Sequence, residues 1–244
     1  MKKIFAILLA AIMTFAFTGC SKKDDSDIDV NNTGAPETES SQPNAENTEK
    51  PEEPTKAPAH EAELTLESLM AREPSPEEYF SVTKDISGGA YILDYTGDES
   101  VVVFPEKIES LTSASIDGYV FSNSKTLEGI RFADSMIYIG DFVCSECEAL
   151  KYVVIGENVE TIGMATFHGC INLEKVVFGS KLKSIGKSAF GVCPKLKEIE
   201  IPESVTSIDE LAFSGAPDDF KVIGKSGSYA ETYAKEHGFE FIAK

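Results

Sequence analysis

Basic residues are scarce in this chain. Only 22 Lys and Arg stand against 41 Asp and Glu, which leaves a formal net charge of -19. A surface of that sign repels phosphates, so no nucleic-acid partner is expected. Histidine is scarcer still. His60, His168 and His237 are dispersed, and no Ser or Cys nucleophile accompanies them in a triad-like pattern. No catalytic residues, enzyme activity or cofactor are expected. After Phe17 there is no second long apolar run, so the mature chain is expected to carry no transmembrane helix. Tryptophan is absent, and 15 Phe and 8 Tyr supply the aromatic share.

Three short motifs suggest chemistry and fail on their spacing. Asp25, Asp27 and Asp29 alternate as in a calcium loop, but Val30 and Pro36 stand where the turn Gly and the bidentate Glu belong. Gly186-Lys187-Ser188 mimics the end of a phosphate loop, but Lys181 occupies the place of its first Gly. Cys144-x-x-Cys147 is a single pair, and both members fall in the inward columns described below. No metal site is expected.

The N-terminus has the form of an address. Met1-Lys2-Lys3 precedes an apolar stretch from Ile4 to Phe17, the pattern of a secretory signal and short for a membrane span. Phe17-Thr18-Gly19-Cys20 resembles a bacterial lipobox, with Phe17 in place of the usual Leu. The resemblance implies that residues 1–19 are a lipoprotein signal and that Cys20 receives lipid, anchoring the chain to a membrane. Residues 20–78 are read as the lipidated Cys followed by an acidic, disordered linker. The stretch 21–80 holds 16 acidic and 5 basic residues. Up to about residue 60 apolar side chains are almost absent, so burial cannot offset ordering entropy. A tether of that length reaches on the order of 35 Å. Leu64, Leu66, Leu69 and Met70 could form a short helix ended by Pro74 and Pro76.

Internal repeats fill the remainder. Ile116, Ile139, Ile162, Ile185 and Ile208 recur every 23 residues. Parallel columns hold Phe121, Cys144, Phe167, Phe190 and Phe213; then Ser124, Cys147, Cys170, Cys193 and Ala216; then Leu127, Leu150, Leu173 and Leu196. After each Leu a pair two residues apart, such as Val153 and Ile155, points to one face. One such unit cannot bury its apolar edges alone, so the units must stack into a solenoid whose strands pair in parallel. Stacked Cys147, Cys170 and Cys193 would lie within disulfide range, although a ladder sets their side chains in parallel and favours buried thiols. Phe80 to Tyr95 reads as a hairpin about Ser87-Gly88-Gly89. Ser228 and Glu231 form a capping-box pattern for a final helix closed by Gly238, and Phe239–Ile242 reads as a last strand.

The pattern Val-x-x-Ile-Gly-x-x-Ala-Phe-x-x-Cys-x-x-Leu-x-x-Ile-x-Ile-Pro resembles the BspA-like, or Treponema-type, leucine-rich repeat. Residues 159–178 and 182–202 carry it nearly intact. The resemblance implies a mainly β, short right-handed solenoid over 79–244, with parallel strands on one face. Five 23-residue units lie within about 105–219, between a hairpin cap and a helix–strand cap. It also implies a monomeric surface module that binds a host-matrix or envelope protein. An envelope-organising lipoprotein and an accessory to polysaccharide-acting enzymes are the alternatives. The columns are core positions, so they name no contact residue beyond the lipidated Cys20.

Overall fold

The structure is a computed structural model and describes residues 63–244. Cys20, the acidic run at 25–29 and His60 lie outside those residues.

Each coil carries two short strands. After the column Leu, an inward Ile or Val flanked by outward neighbours extends the chain for three residues. These strands are β3 (Val101–Val103), β6 (Gly129–Arg131), β8 (Tyr152–Val154), β10 (Lys175–Val177) and β12 (Glu198–Glu200). Val102, Ile130, Val153 and Val176 align in parallel register. Ile199 aligns with Val222 of β14 (Lys221–Gly224), and Val222 with Phe241 of β15 (Glu240–Ala243). A second strand of two residues ends on the repeat's Ile. These are β7 (Tyr138–Ile139), β9 (Thr161–Ile162), β11 (Ser184–Ile185) and β13 (Ser207–Ile208), also parallel and in register.

The second ladder begins one coil earlier than the five-unit count. β5 (Leu111–Ile116) pairs with β7, and β2 (Ala90–Tyr95) pairs in parallel with β5, aligning Ile92 with Ile116. The hairpin of β1 (Phe80–Lys84) and β2 is thus both a cap and the first rung. Ile92 lies 24 residues before Ile116, but the coil between them is divided irregularly. Val102 aligns with Ile130, a step of 28 residues instead of 23. The surplus forms a hairpin between β4 (Lys107–Ile108) and β5. Its two-residue turn, Glu109-Ser110, has φ of 50° and 68°. Both values are positive, as a type I′ turn demands, yet no Gly or Asn announces it.

Inside, the columns become ladders. The Ile column from Ile92 to Ile208 is buried throughout. Phe167 stacks on Phe190 at 5.3 Å and Phe190 on Phe213 at 5.5 Å, nearly parallel. Cys144 occupies a Phe position in this column, and Phe132 leans across the space beside it. Phe178 meets the ring of its own coil, Phe190, at 5.8 Å. Phe132, at the same place in its coil, reaches past Cys144 to Phe167 at 6.3 Å and stacks on Phe104 at 5.2 Å. Cys144, Cys147, Cys170 and Cys193 are buried free thiols. The Sγ of Cys147, Cys170 and Cys193 each donates to a carbonyl 26 residues earlier, at 3.0–3.3 Å. Burial pushes the Cys144 and Cys170 thiols up and takes Cys193 to about 12.

The two ends differ from the sequence reading. Residues 63–78, grouped by composition with the linker, include α1 (Leu66–Met70), which packs on the outer face of β6 and β8. Leu69 is fully buried against Val101, Val103 and Val154. Gly129 leaves room for Leu64 beside it, since a Cβ there would meet the Leu64 side chain at 2.8 Å. The guanidinium of Arg131 donates to the carbonyls of Met70 and Arg72 as α1 ends. At the other end, α2 (Tyr229–His237) is not closed by the expected capping box. The Ser228 hydroxyl makes no cap bond, and the Glu231 carboxylate accepts from the Gly227 N–H at 2.6 Å instead. Gly238 does end the helix in a left-handed conformation, with Phe239 N–H bonded to the Ala234 carbonyl.

Candidate interaction surface

Between the short strand and the Leu, the coils beginning at Ile116, Ile139, Ile162 and Ile185 turn through left-handed backbone. Tyr119, Phe142, Ala165 and Ser188 occupy one such column, with φ between 51° and 67°. That conformation costs an L residue about 1–2 kcal/mol. The stack offsets it by hydrogen bonding: Phe142 N–H donates to Met164 O at 2.9 Å, and Ala165 N–H to Lys187 O at 2.8 Å. The backbone fixes the turn, and the side chain is free to vary. In the first two full turns that side chain is aromatic. The rings of Tyr119 and Phe142 stack at 5.0 Å, 5° from parallel, and Tyr119 is 64% exposed.

More apolar surface surrounds them. Leu93 follows Ile92 as Asp117 follows Ile116, and it is 44% exposed. Ile137 and Tyr138, where the second ladder begins its regular spacing, are exposed at 51% and 37%. Met164 lies beside Phe142 and is also exposed. These five lie on neighbouring coils at the start of the solenoid, two of them flanking the stacked Tyr119–Phe142 pair. Exposed apolar groups clustered on neighbouring coils in this way are a candidate interaction surface.

Two carboxylates and two phenols complete the patch. Asp117 Oδ1 accepts from the Tyr91 hydroxyl at 2.8 Å and from the Gly118 N–H at 2.8 Å. Asp141 Oδ1 accepts from the Met164 N–H at 2.7 Å. Burial, then the hydrogen bond to Asp117, raises the Tyr91 hydroxyl to about 12. Tyr138 is raised by burial and by the charges of Asp141 and Asp117. Both phenols therefore stay neutral donors at ordinary pH. Beyond Tyr138 the same outward column continues as Thr161, Ser184 and Ser207 over a floor of Gly140, Gly163 and Gly186. A Cβ on any of those glycines would meet the preceding coil's backbone or Asp141 within 2.7 Å, so the floor must stay bare.

The other faces are differently built. On the three-residue ladder, charges pair from coil to coil: Lys175 with Glu198 at 2.6 Å and Lys151 with Glu128 at 3.2 Å. Such exposed pairs contribute about 0.2–1 kcal/mol each. His168 lies in a turn, its Nε2 3.9 Å from Glu146, and His237 stacks on Tyr233 at 4.0 Å in α2. Neither faces the patch. Cys144 and Cys147 are sealed in the core. Lys187 and Ser188 sit in a repeat turn. Among the described residues, no three His, Cys, Asp or Glu side chains converge on a metal position, and no helix is long and apolar enough to cross a membrane.

A sequence model of the BspA type leucine rich repeat region matches residues 92–218 in six copies, opening on Ile92 where the ladder begins. The chain belongs to the BspA-type leucine-rich repeat family. Among solved structures, this BspA-type chain resembles the T. pallidum leucine rich repeat protein, with 25% identity and a TM-score of 0.59 over 62% of this chain and 71% of that one. It also resembles a leucine-rich repeat protein from Bacteroides ovatus, with 28% identity and a TM-score of 0.50 over 59% of this chain and 39% of that one. It thus spans well under half of the second relative. No curated protein sequence matches it. The family is one of repeat scaffolds, and it accounts for the Phe, Cys and Leu columns as core.

The BspA-type repeat does not account for the patch, and neither did sequence reasoning. Asp117 and Asp141 fall in different columns, and Tyr91 and Tyr138 are two coils apart. The legible signal was the pairing of Tyr119 with Phe142 at one variable position, 23 residues apart.

Proposed function

We propose that this BspA-type chain is a lipid-anchored cell-surface binding module. Residues 1–19 serve as its secretion signal, Cys20 as its anchor and the acidic stretch after it as a tether. The solenoid is the presented part, and it binds a protein. The observation that carries this reading is the exposed aromatic patch on a rigid, coil-to-coil bonded scaffold. A soluble fold gains nothing in stability from rings held in left-handed turns facing water, whereas a binding surface gains rigid aromatic anchors.

Two experiments test it. Surface plasmon resonance of the intact chain against matrix proteins, mucins and wall glycans should give saturable binding to a protein class at physiological salt. Binding to none would favour the envelope-organising role, and binding to glycans alone would favour the polysaccharide accessory. For the anchor, Cys20→Ser should abolish incorporation of labelled palmitate and release the chain from the membrane fraction. Retention of label would refute lipidation at Cys20.

A further inference from the structure

We propose that the Tyr119–Phe142 patch docks a cationic, apolar segment of a partner protein. The inference rests on the binding-module reading and adds to it the place of docking and the chemistry of the occupant.

Charge complementarity points to the cation. Some acids of the solenoid meet a Lys of the adjoining coil, as Glu160 meets Lys183 at 2.7 Å; Asp117 and Asp141 do not, and they stand beside exposed rings. Asp117 and Asp141 have no Lys, Arg or His nitrogen within 4.0 Å among the described residues. Each uses only Oδ1 within the fold, and each Oδ2 lacks a hydrogen-bond partner among those residues. The first basic residue along the Asp141 column, Lys187, is two coils away. The patch thus holds two fixed, acceptor-only groups beside exposed ring surface. An Arg or Lys side chain satisfies both: its N–H groups reach a carboxylate while its cation lies on the Tyr119 face. Leu93, Ile137 and Met164 supply the apolar contact that flanking Leu- or Phe-like side chains of the same segment would cover.

Among the described residues, α1 lies on the outer face of the three-residue ladder. α1 covers that face at its first coils through Leu69, whereas the patch lies on the side of the two-residue ladder.

The test uses the intact chain, a fluorescein-labelled twelve-residue peptide alternating Arg and Leu, its Glu-and-Leu counterpart, and chitohexaose. Fluorescence anisotropy at physiological salt should show saturable binding of the Arg peptide alone. Asp117→Asn/Asp141→Asn keeps the internal hydrogen bonds and should weaken that binding about tenfold or more. Tyr119→Ser should weaken it comparably. Asp218→Asn/Glu236→Gln removes the same charge at exposed positions off the patch and should change affinity by less than about twofold. Equal losses in the two charge variants would mean attraction to the whole acidic surface and would overturn the site. Chitohexaose binding that the patch variants abolish would overturn the cationic occupant. Panel-protein binding that survives both patch variants would overturn the site while the binding-module reading stands. A chain that binds neither peptide nor any panel protein would overturn both.

Discussion

Cys144→Phe separates the logic of the repeat from the logic of the packed core. By the column, Phe is the common residue, and restoring it should bury further apolar surface and add about 1.5–3 kcal/mol. The structure gives the opposite sign. Phe132 already occupies the space beside Cys144, reaching Phe167 on one side and stacking on Phe104 on the other. A second ring would force off-rotamer side chains or a backbone shift, at about 1–3 kcal/mol. For a fold of this size each kcal/mol moves Tm by about 2–4 °C. Thermal unfolding followed by circular dichroism should therefore show Cys144→Phe melting about 2–12 °C lower. The compensating change is Phe132→Ile, because Ile155 and Ile201 hold that position in other coils. Cys144→Phe/Phe132→Ile should recover most of the loss, with a coupling of about 1 kcal/mol or more between the two sites. A single variant that melts higher than the parent, or two changes that add independently, would refute the account of this core.

Further outcomes follow from other contacts. Phe190→Ala removes a ring stacked on both sides and should cost about 3–5 kcal/mol; an unchanged melting temperature would refute the column register. Leu69→Ala should release α1, so that the Leu69 and Ala71 amides exchange rapidly while those of β8 stay protected; simultaneous loss of both would show α1 to be integral to the stack. Val192 is a β-branched residue at φ 56°, where the neighbouring coils have Gly169 and Gly215. Val192→Gly should stabilise by about 1 kcal/mol in chemical denaturation, and destabilisation would count against strain at that turn. Glu198 is held below its ordinary value by the hydrogen bond from Lys175, and Asp219 by that from Lys197. A lowered folded value means that the stability is present above about pH 4.5 and lost as pH falls through the depressed value. Tm should thus decline on acidification from about pH 6 to about pH 3, with a smaller decline in Glu198→Gln. A Tm that rises on acidification would contradict the sign.

The sequence alone determined the solenoid. A 23-residue period forces each column into the same environment in every coil, so Ile, Phe, Cys and Leu could be assigned to the core from spacing. Gly238 as a helix stop and the hairpin over Phe80–Tyr95 were equally legible, because each depends on a few adjacent residues. Tertiary structure decided what departs from the period. The rung at Ile92 lies 24 residues before Ile116, but its coil is divided differently, with a hairpin lacking Gly or Asn inserted between Val102 and Ile116. The short helix α1 could be read from Leu64, Leu66, Leu69 and Met70 although the stretch was grouped with the tether, but its docking could not, because it is held by Val101, Val103, Val154 and Arg131, which are distant in sequence. The patch is the clearest case. Leu93, Asp117, Tyr119, Tyr138, Asp141 and Met164 occupy variable positions, and they become neighbours only when successive coils are stacked. Core columns repeat because every coil meets the same interior, whereas a binding face is built from what the coils do not share.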